Sequence, residues 1–178
     1  APWYTGAHKP LISKELFDLV QETRGVNKGV WGSKTFAFRG LLKCGRCTAD
    51  ITAQDKFKTL KNGDVKRFVY YNCTRRKDPN CAEKYVNEER LCELMQGFIE
   101  KHHEDIKITE KLRARVDKHF YTTKTILTHY KIDQKLDNPF IEYARYVLAD
   151  GTDSERTFLA SNMGPMPQIK DGELEFYG

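Results

Sequence analysis

The chain has 178 residues, of which 39% are hydrophobic and 31% charged, and its formal net charge is +5. That length suits one ordinary domain or two small ones, and the composition is that of a globular protein without low-complexity tracts. No apolar run approaches the roughly 18 residues a membrane span needs, which excludes a helical membrane protein at the outset.

The opening Ala1-Pro2-Trp3-Tyr4 shows no initiator Met and no secretory leader, so a processed or excised chain with sequence upstream is expected. The stretch HKPLISKELFDLVQETRG reads as a helix, with Ser13 as N-cap, an apolar stripe at Leu16, Leu19 and Val20, and Gly25 at its end. GVNKGVWGSKTFAFRG follows, with Gly at 25, 29, 32 and 40, and reads as a linker. Residues 23–49 hold six basic residues and no acid, whereas 85–178 is net negative. A concentrated basic patch is the footprint of a polyanion, most often nucleic acid; a solvated basic loop is the plain alternative.

From Thr35 the pattern turns strand-like: TFAF alternates, and the runs ADITAQDKFKTL and DVKRFVYYNC flank Asn62-Gly63, a hairpin signal. Asn87 opens a helix, with Glu88 and Glu89 in the first turn and Leu91, Leu94, Met95, Phe98 and Ile99 at helical spacing. Residues 108–130 predict a packed amphipathic helix, with a coiled-coil arm as the alternative. Asn138-Pro139 starts a third helix that ends at Gly151, and Thr152 to Glu155 has capping-box spacing before a fourth. Asp171-Gly172 predicts a closing hairpin.

Cys44-x2-Cys47 is followed, beyond the hairpin, by Cys73-x7-Cys81. Zinc takes four soft ligands on a tetrahedron with sulfurs about 2.3 Å from the metal, and a CxxC turn supplies two of them from one knuckle. A hairpin can carry a second pair across to meet the first, and the metal then replaces a core that so short a β-segment cannot build. A redox dithiol, which favours CxxC at a helix N-terminus, and a pair of disulfides are the competing readings. Cys92 reads as a small, partly buried helix residue; His102 and His103 lack the spacing of a second metal site, and His8, His119 and His129 are unassigned. Around the cysteines lie Lys43, Arg46, Lys56, Lys58, Lys61, Lys66, Arg67, Arg75, Arg76 and Lys77, interleaved with Phe68, Tyr70 and Tyr71. Lysine and arginine there suit phosphates, arginine can read guanine, and the aromatics suit core packing better than base stacking.

HKPLISKELFDLVQE, a basic linker, FAFRGLLKCGRC, YYNC, a fourth cysteine and an amphipathic helix together resemble the large serine recombinases, the integrases and transposon recombinases of phages and mobile elements. EYARYVLADGTDSERTFLASN and QIKDGELEF are similar to the tail of many of those proteins. The resemblance implies an α+β fold: a small zinc β-ribbon flanked by amphipathic helices, after a short helical segment from a preceding domain. Residues 1–25 would end the recombinase domain, 26–34 would be the basic linker, and 35–178 the zinc domain, with helices over about 87–163 and a C-terminal hairpin.

It also implies one structural zinc on Cys44, Cys47, Cys73 and Cys81, and sequence-specific binding of double-stranded DNA at a recombination site. Arg24, Lys28, Lys34 and Arg39 match a DNA-tracking linker by position and charge. The family's catalytic serine domain would lie upstream, so no catalytic residue is assigned here and these residues are not themselves an enzyme. Residues 105–135 offer at most a short version of the family's coiled-coil arm, a candidate for self-association that leans towards a transposon-like relative. A DNA-associated place in the cytoplasm, bacterial or phage-encoded, is implied as well. The alternative is a zinc-ribbon module that binds RNA or protein in transcription or translation.

Overall fold

In the second half of the chain the helical period dominates, and in the first half the two-residue period of strands; the computed structural model separates them accordingly. It describes Ser13, Glu15 and residues 35–176. The chain divides into two units, Ala1–Lys34 and Thr35–Gly178. The helix expected over 8–25, the linker 26–34 and their basic residues Arg24, Lys28 and Lys34 lie outside the described residues.

The second unit runs β1 (Lys43–Cys44), β2 (Ile51–Thr59), β3 (Val65–Cys73), β4 (Val86–Asn87), α1 (Glu88–His102), β5 (Lys107–Ile108), α2 (Glu110–His129), α3 (Pro139–Asp150), α4 (Asp153–Ser161), β6 (Met163–Gly164), β7 (Gln168–Lys170) and β8 (Glu173–Glu175). The strands form three small sheets, ordered β1-β7-β8, β2-β3-β4 and β5-β6. β2 and β3 pair antiparallel over their full length, from Ile51 opposite Cys73 to Thr59 opposite Val65. The turn between them holds Asn62-Gly63, with Gly63 at φ +88°. At the other end, Asp171 and Gly172 both take positive φ, as a type I′ hairpin requires.

The helices start where their caps are. The Asn87 side chain accepts from the Arg90 N–H at the head of α1, and Thr109 accepts from Leu112 N–H at the head of α2. Asn138 caps α3, which has Pro139 in its first turn, and Thr152 with Glu155 completes a reciprocal capping box on α4. α1 buries Leu91, Cys92, Met95, Phe98 and Ile99; α3 buries Phe140, Ile141, Tyr143, Ala144, Val147 and Leu148. These faces join Leu42, Ile51, Tyr71 and the cysteine knuckles in one core. Arg145 of α3 ties α1 to the segment before α3, donating to Glu100 at 2.8 Å and Asp137 at 2.7 Å.

Two expectations are corrected. TFAF is no strand: residues 37–40 form a turn, in which Arg39 N–H donates to Phe36 O and Leu41 N–H to Phe38 O. Ala37 and Phe38, adjacent in sequence, are both fully buried, which no alternating strand allows. The expected packed helix over 108–130 is packed only in its first half. Leu112 and Val116 are its buried residues, while Tyr121 and Ile126 are exposed. Among the described residues no helix is long and apolar enough to cross a membrane.

Candidate metal centre and nucleic-acid interface

The first knuckle grows out of β1. Cys44 N–H donates to Ala49 O at 2.9 Å and Thr48 N–H to Cys44 O at 2.7 Å, folding the Gly45-Arg46 pair into a tight loop. Thr48 reverses the chain at φ +58°, a left-handed conformation that a non-glycine residue adopts only where the surroundings demand it. The second knuckle begins at the last residue of β3. Arg75, also left-handed at φ +55°, turns its N–H onto Cys73 Sγ at 3.2 Å. Asp78 then accepts the N–H of Cys81 at 3.1 Å and brings that cysteine back beneath the ribbon.

These turns gather four sulfurs from positions up to 37 apart in the chain: Cys44 Sγ lies 3.6 Å from Cys81 Sγ and Cys47 Sγ 3.3 Å from Cys73 Sγ. All four lie within 4.8 Å of one another. All are free thiols, and the sulfur separations far exceed the roughly 2.05 Å of a disulfide. Sulfurs on a tetrahedron 2.3 Å from zinc stand about 3.8 Å apart, so the donor set and its spacing fit zinc. Cys44, Cys73 and Cys81 are buried and Cys47 half-buried, as expected for a closed structural site rather than an open catalytic one.

The electrostatics of the cluster are uneven. Burial pushes the Cys73 thiol up to about 12, against the opposing Arg75 N–H, and burial raises Cys44 as well. Cys47 goes the other way: burial opposes its ionisation, but the Ala49 N–H and the thiols of Cys73, Cys81 and Cys44 together hold its pKa below the ordinary value. The buried thiols of Cys44 and Cys73 resist ionisation, and a divalent cation held among the four sulfurs is what would deprotonate them. Among the described residues this is the one group of three or more such side chains able to hold a metal ion. His102 instead packs its ring on Phe98 and Phe176, and His103 Nδ1 meets Glu100 O. Cys92 is buried in α1 away from the cluster's ligand set.

The ribbon has two unlike faces. In an antiparallel pair, directly opposed residues share a face. One face therefore carries Ile51 with Cys73, Ala53 with Tyr71 and Asp55 with Val69. Its centre is Tyr71, fully buried, whose hydroxyl donates to Glu88 Oε1 at 2.9 Å and accepts from Phe38 N–H at 3.3 Å. Burial, reinforced by the Glu88 carboxylate, holds that phenol well above its ordinary pKa. The outer face carries Thr52 with Asn72, Gln54 with Tyr70, Lys56 with Phe68 and Lys58 with Lys66. Three lysines and two rings thus share a face to which β2 and β3 contribute no carboxylate, with Glu89 of α1 reaching Lys66 at its edge. Lys56 lies over the Tyr70 ring at 5.8 Å, and Lys58 and Lys66 over Phe68 at 5.4 and 5.1 Å.

The remaining sequence candidates divide by their partners. Lys43 pairs with Asp50. Arg46 pairs with Asp171 and reaches buried Glu83 at 3.4 Å. Arg67, on the inner face, meets Asp55 at 3.2 Å, Asp153 at 3.7 Å and the Phe36 ring. Lys77 donates to Thr48 Oγ1 at 2.8 Å. Lys66 also meets Glu89 at 3.3 Å. Arg39, Arg75 and Arg76 have exposed side chains. Sequence reasoning missed Glu83 and the part played by Gly45. A Cβ on Gly45 would stand 2.7 Å from Lys170 Cβ, and the glycine inside the CxxC was the available signal.

Residues 37–99 match the family model described as the recombinase zinc beta ribbon domain. No curated protein sequence matches. Two solved structures are similar to parts of the chain. One comes from work on the sequence requirements of the Listeria innocua prophage attP site: it is 24% identical, over 56% of this chain and 46% of that one, with a TM-score of 0.32. The other, from a crystal structure of an LSR–DNA complex, is 17% identical over 97% of this chain and 67% of that one, with a TM-score of 0.42. This chain thus spans about half the length of the first and two thirds of the second. The cysteine geometry and the match over 37–99 agree: this stretch is similar to the recombinase zinc beta ribbon domain, and its four cysteines stand where they can hold a metal ion.

Proposed function

We propose that the chain is the DNA-binding region of a site-specific serine recombinase, acting on a recombination site of a mobile element. Residues 1–25 end a preceding recombinase domain, 26–34 form a basic linker and 35–178 form the zinc domain. The nucleophilic serine belongs to an upstream domain of the parent protein, and the residues of this chain bind DNA without cutting it. Cys44, Cys47, Cys73 and Cys81 hold one structural zinc, which supplies the cross-link between the two knuckles and so fixes the root of the hairpin. The protein acts in the cytoplasm, where bacterial or phage DNA is found.

The observation that carries this reading is the outer face of β2 and β3, to which the two strands contribute three lysines and no acid. A two-stranded ribbon fits the major groove, about 12 Å wide, and nine residues at about 3.3 Å each span roughly one helical turn of duplex. Lys56, Lys58 and Lys66 then meet phosphates, while Thr52 and Gln54, nearer the zinc, offer a hydroxyl and an amide to base edges. Arg39, Arg75 and Arg76 extend the basic surface at the root. Arg24, Lys28 and Lys34, outside the described residues, add phosphate contacts by their charge. Lys43, Arg46, Arg67 and Lys77, engaged within the fold, contribute less. Tyr121 and Ile126 on α2, and Tyr130 and Ile132 just beyond it, are exposed, which supports self-association through residues 105–135.

The test is a fluorescence-anisotropy titration of the zinc-loaded chain against a mixed-sequence 30-base-pair duplex and a single-stranded RNA of equal length, across a salt series. Tighter binding to the duplex is expected, with log K falling linearly in log salt at about 0.9 per phosphate neutralised. Tighter binding to the RNA would replace this reading with an RNA-binding zinc ribbon, and binding to neither with a protein-binding one.

A further inference from the structure

The family match ends at residue 99, yet the first cysteine knuckle is built against the far end of the chain. Lys43 pairs with Gln168 and Cys44 with Ile169 in a parallel bridge, and Gly45 N–H donates to Ile169 O at 2.7 Å. At the centre of this junction is Glu83, two residues past Cys81, with its side chain wholly buried. Oε2 accepts the N–H of Asp171 and Oε1 that of Gly172, each at 3.1 Å. Oε1 also accepts the N–H of Lys84 at 3.2 Å. Arg46, from inside the CxxC, brings Nε to 3.4 Å from Oε2 and pairs at its other end with Asp171.

A buried carboxylate is costly unless its oxygens are bonded and its charge is met. Here both conditions hold, and the groups that meet them come from three separate segments. These are the loop with Cys81, the knuckle with Cys44 and Cys47, and the turn between β7 and β8. Each of the two segments that carry ligands can shift only if Glu83 loses a partner.

We propose that Glu83 is a positioning residue of the zinc site, latching Cys81 to the Cys44–Cys47 knuckle through Arg46 and the 171–172 turn. The C-terminal hairpin is then a working wall of the metal centre, and metal retention depends on residues far outside 37–99. This rests on the zinc reading given above.

The experiment follows zinc transfer from the full chain to a chromophoric chelator, alongside the absorption spectrum of the cobalt-substituted chain. Glu83→Gln keeps the size of the side chain but removes its charge and an acceptor. Asp171→Asn removes only the ion pair to Arg46, because asparagine tolerates the left-handed backbone at φ +56°. Outer partners of metal ligands are worth about 10–100-fold in affinity. Glu83→Gln is expected to weaken zinc binding by at least tenfold and to alter the cobalt bands, and Asp171→Asn to act in the same direction less strongly. Unchanged zinc affinity and an unchanged cobalt spectrum in both variants, even with a lower melting temperature, would overturn the proposal and leave Glu83 as packing. If Glu83→Gln does not fold, Asp171→Asn decides alone. A wild-type chain that takes up no zinc would instead remove the zinc reading, and this inference with it.

Discussion

Gly45 shows how far a single side chain is constrained at the knuckle. β7 approaches so closely that any Cβ there meets Lys170 Cβ, a position fixed by the backbone. Gly45→Ala therefore forces the parallel bridge apart, and a loss of about 1–3 kcal/mol is expected in chemical denaturation of the zinc-loaded protein. The ligands are still less replaceable. Cys73→Ser leaves three thiols and a buried hydroxyl where a thiolate is required, so zinc by atomic absorption should fall from one per chain towards zero and the ribbon should unfold. The cysteine pattern was legible in the sequence because CxxC is local and a hairpin between two pairs has few other uses. The roles of Arg46 and Glu83 were not. Arg46 looked like a phosphate contact because its partner Asp171 lies 125 residues away, and no local spacing encodes such a pair.

Among the elements, the β2–β3 hairpin and α2 each have a face without a complete partner in the described fold. Lys56→Ala with Lys58→Ala should weaken duplex binding across all sequences and lower the salt slope by about two, since each lysine accounts for about one phosphate. Gln54→Ala should leave that slope alone and relax preference at one base pair, by about 1–3 kcal/mol of discrimination. On α2, Tyr121→Lys with Ile126→Lys should reduce any concentration-dependent association seen by sedimentation velocity while leaving zinc content unchanged. α3 is held differently, by Arg145. Hydrogen bonding from Arg145, then from Gln96, lowers the Glu100 carboxyl below its ordinary value of 4.5. Its contribution to stability is therefore present above that value and is lost as pH falls through the lower, folded one. Thermal melts of wild type and Glu100→Gln should accordingly converge in acid. The helices and both hairpins were readable from caps, period and turn residues. TFAF misled because four alternating residues cannot distinguish a strand from a buried turn. The apolar positions of α2 misled because periodicity records which residues could pack, not whether a neighbour is there to meet them.

At the scale of the molecule, the zinc knuckles, the C-terminal hairpin and the face of α1 belong to a single core. The ribbon projects its lysine face from that core, and its root is the metal centre. On the proposed function, metal binding and nucleic-acid binding are one property of the fold rather than two, since without zinc the strands would lose the base that aims them. Two-residue strands such as β1 and β5 carry no pattern to read, so the closure of the chain onto its first knuckle was invisible until the fold was seen. The most direct measurement is duplex binding by anisotropy on one sample carried through three states: zinc-loaded, stripped by chelator, and reloaded with zinc. Salt-sensitive binding is expected in the first state, its loss in the second and its return in the third. Duplex binding that persists at full strength after verified zinc removal, or that never appears in the zinc-loaded protein, would contradict the proposed function.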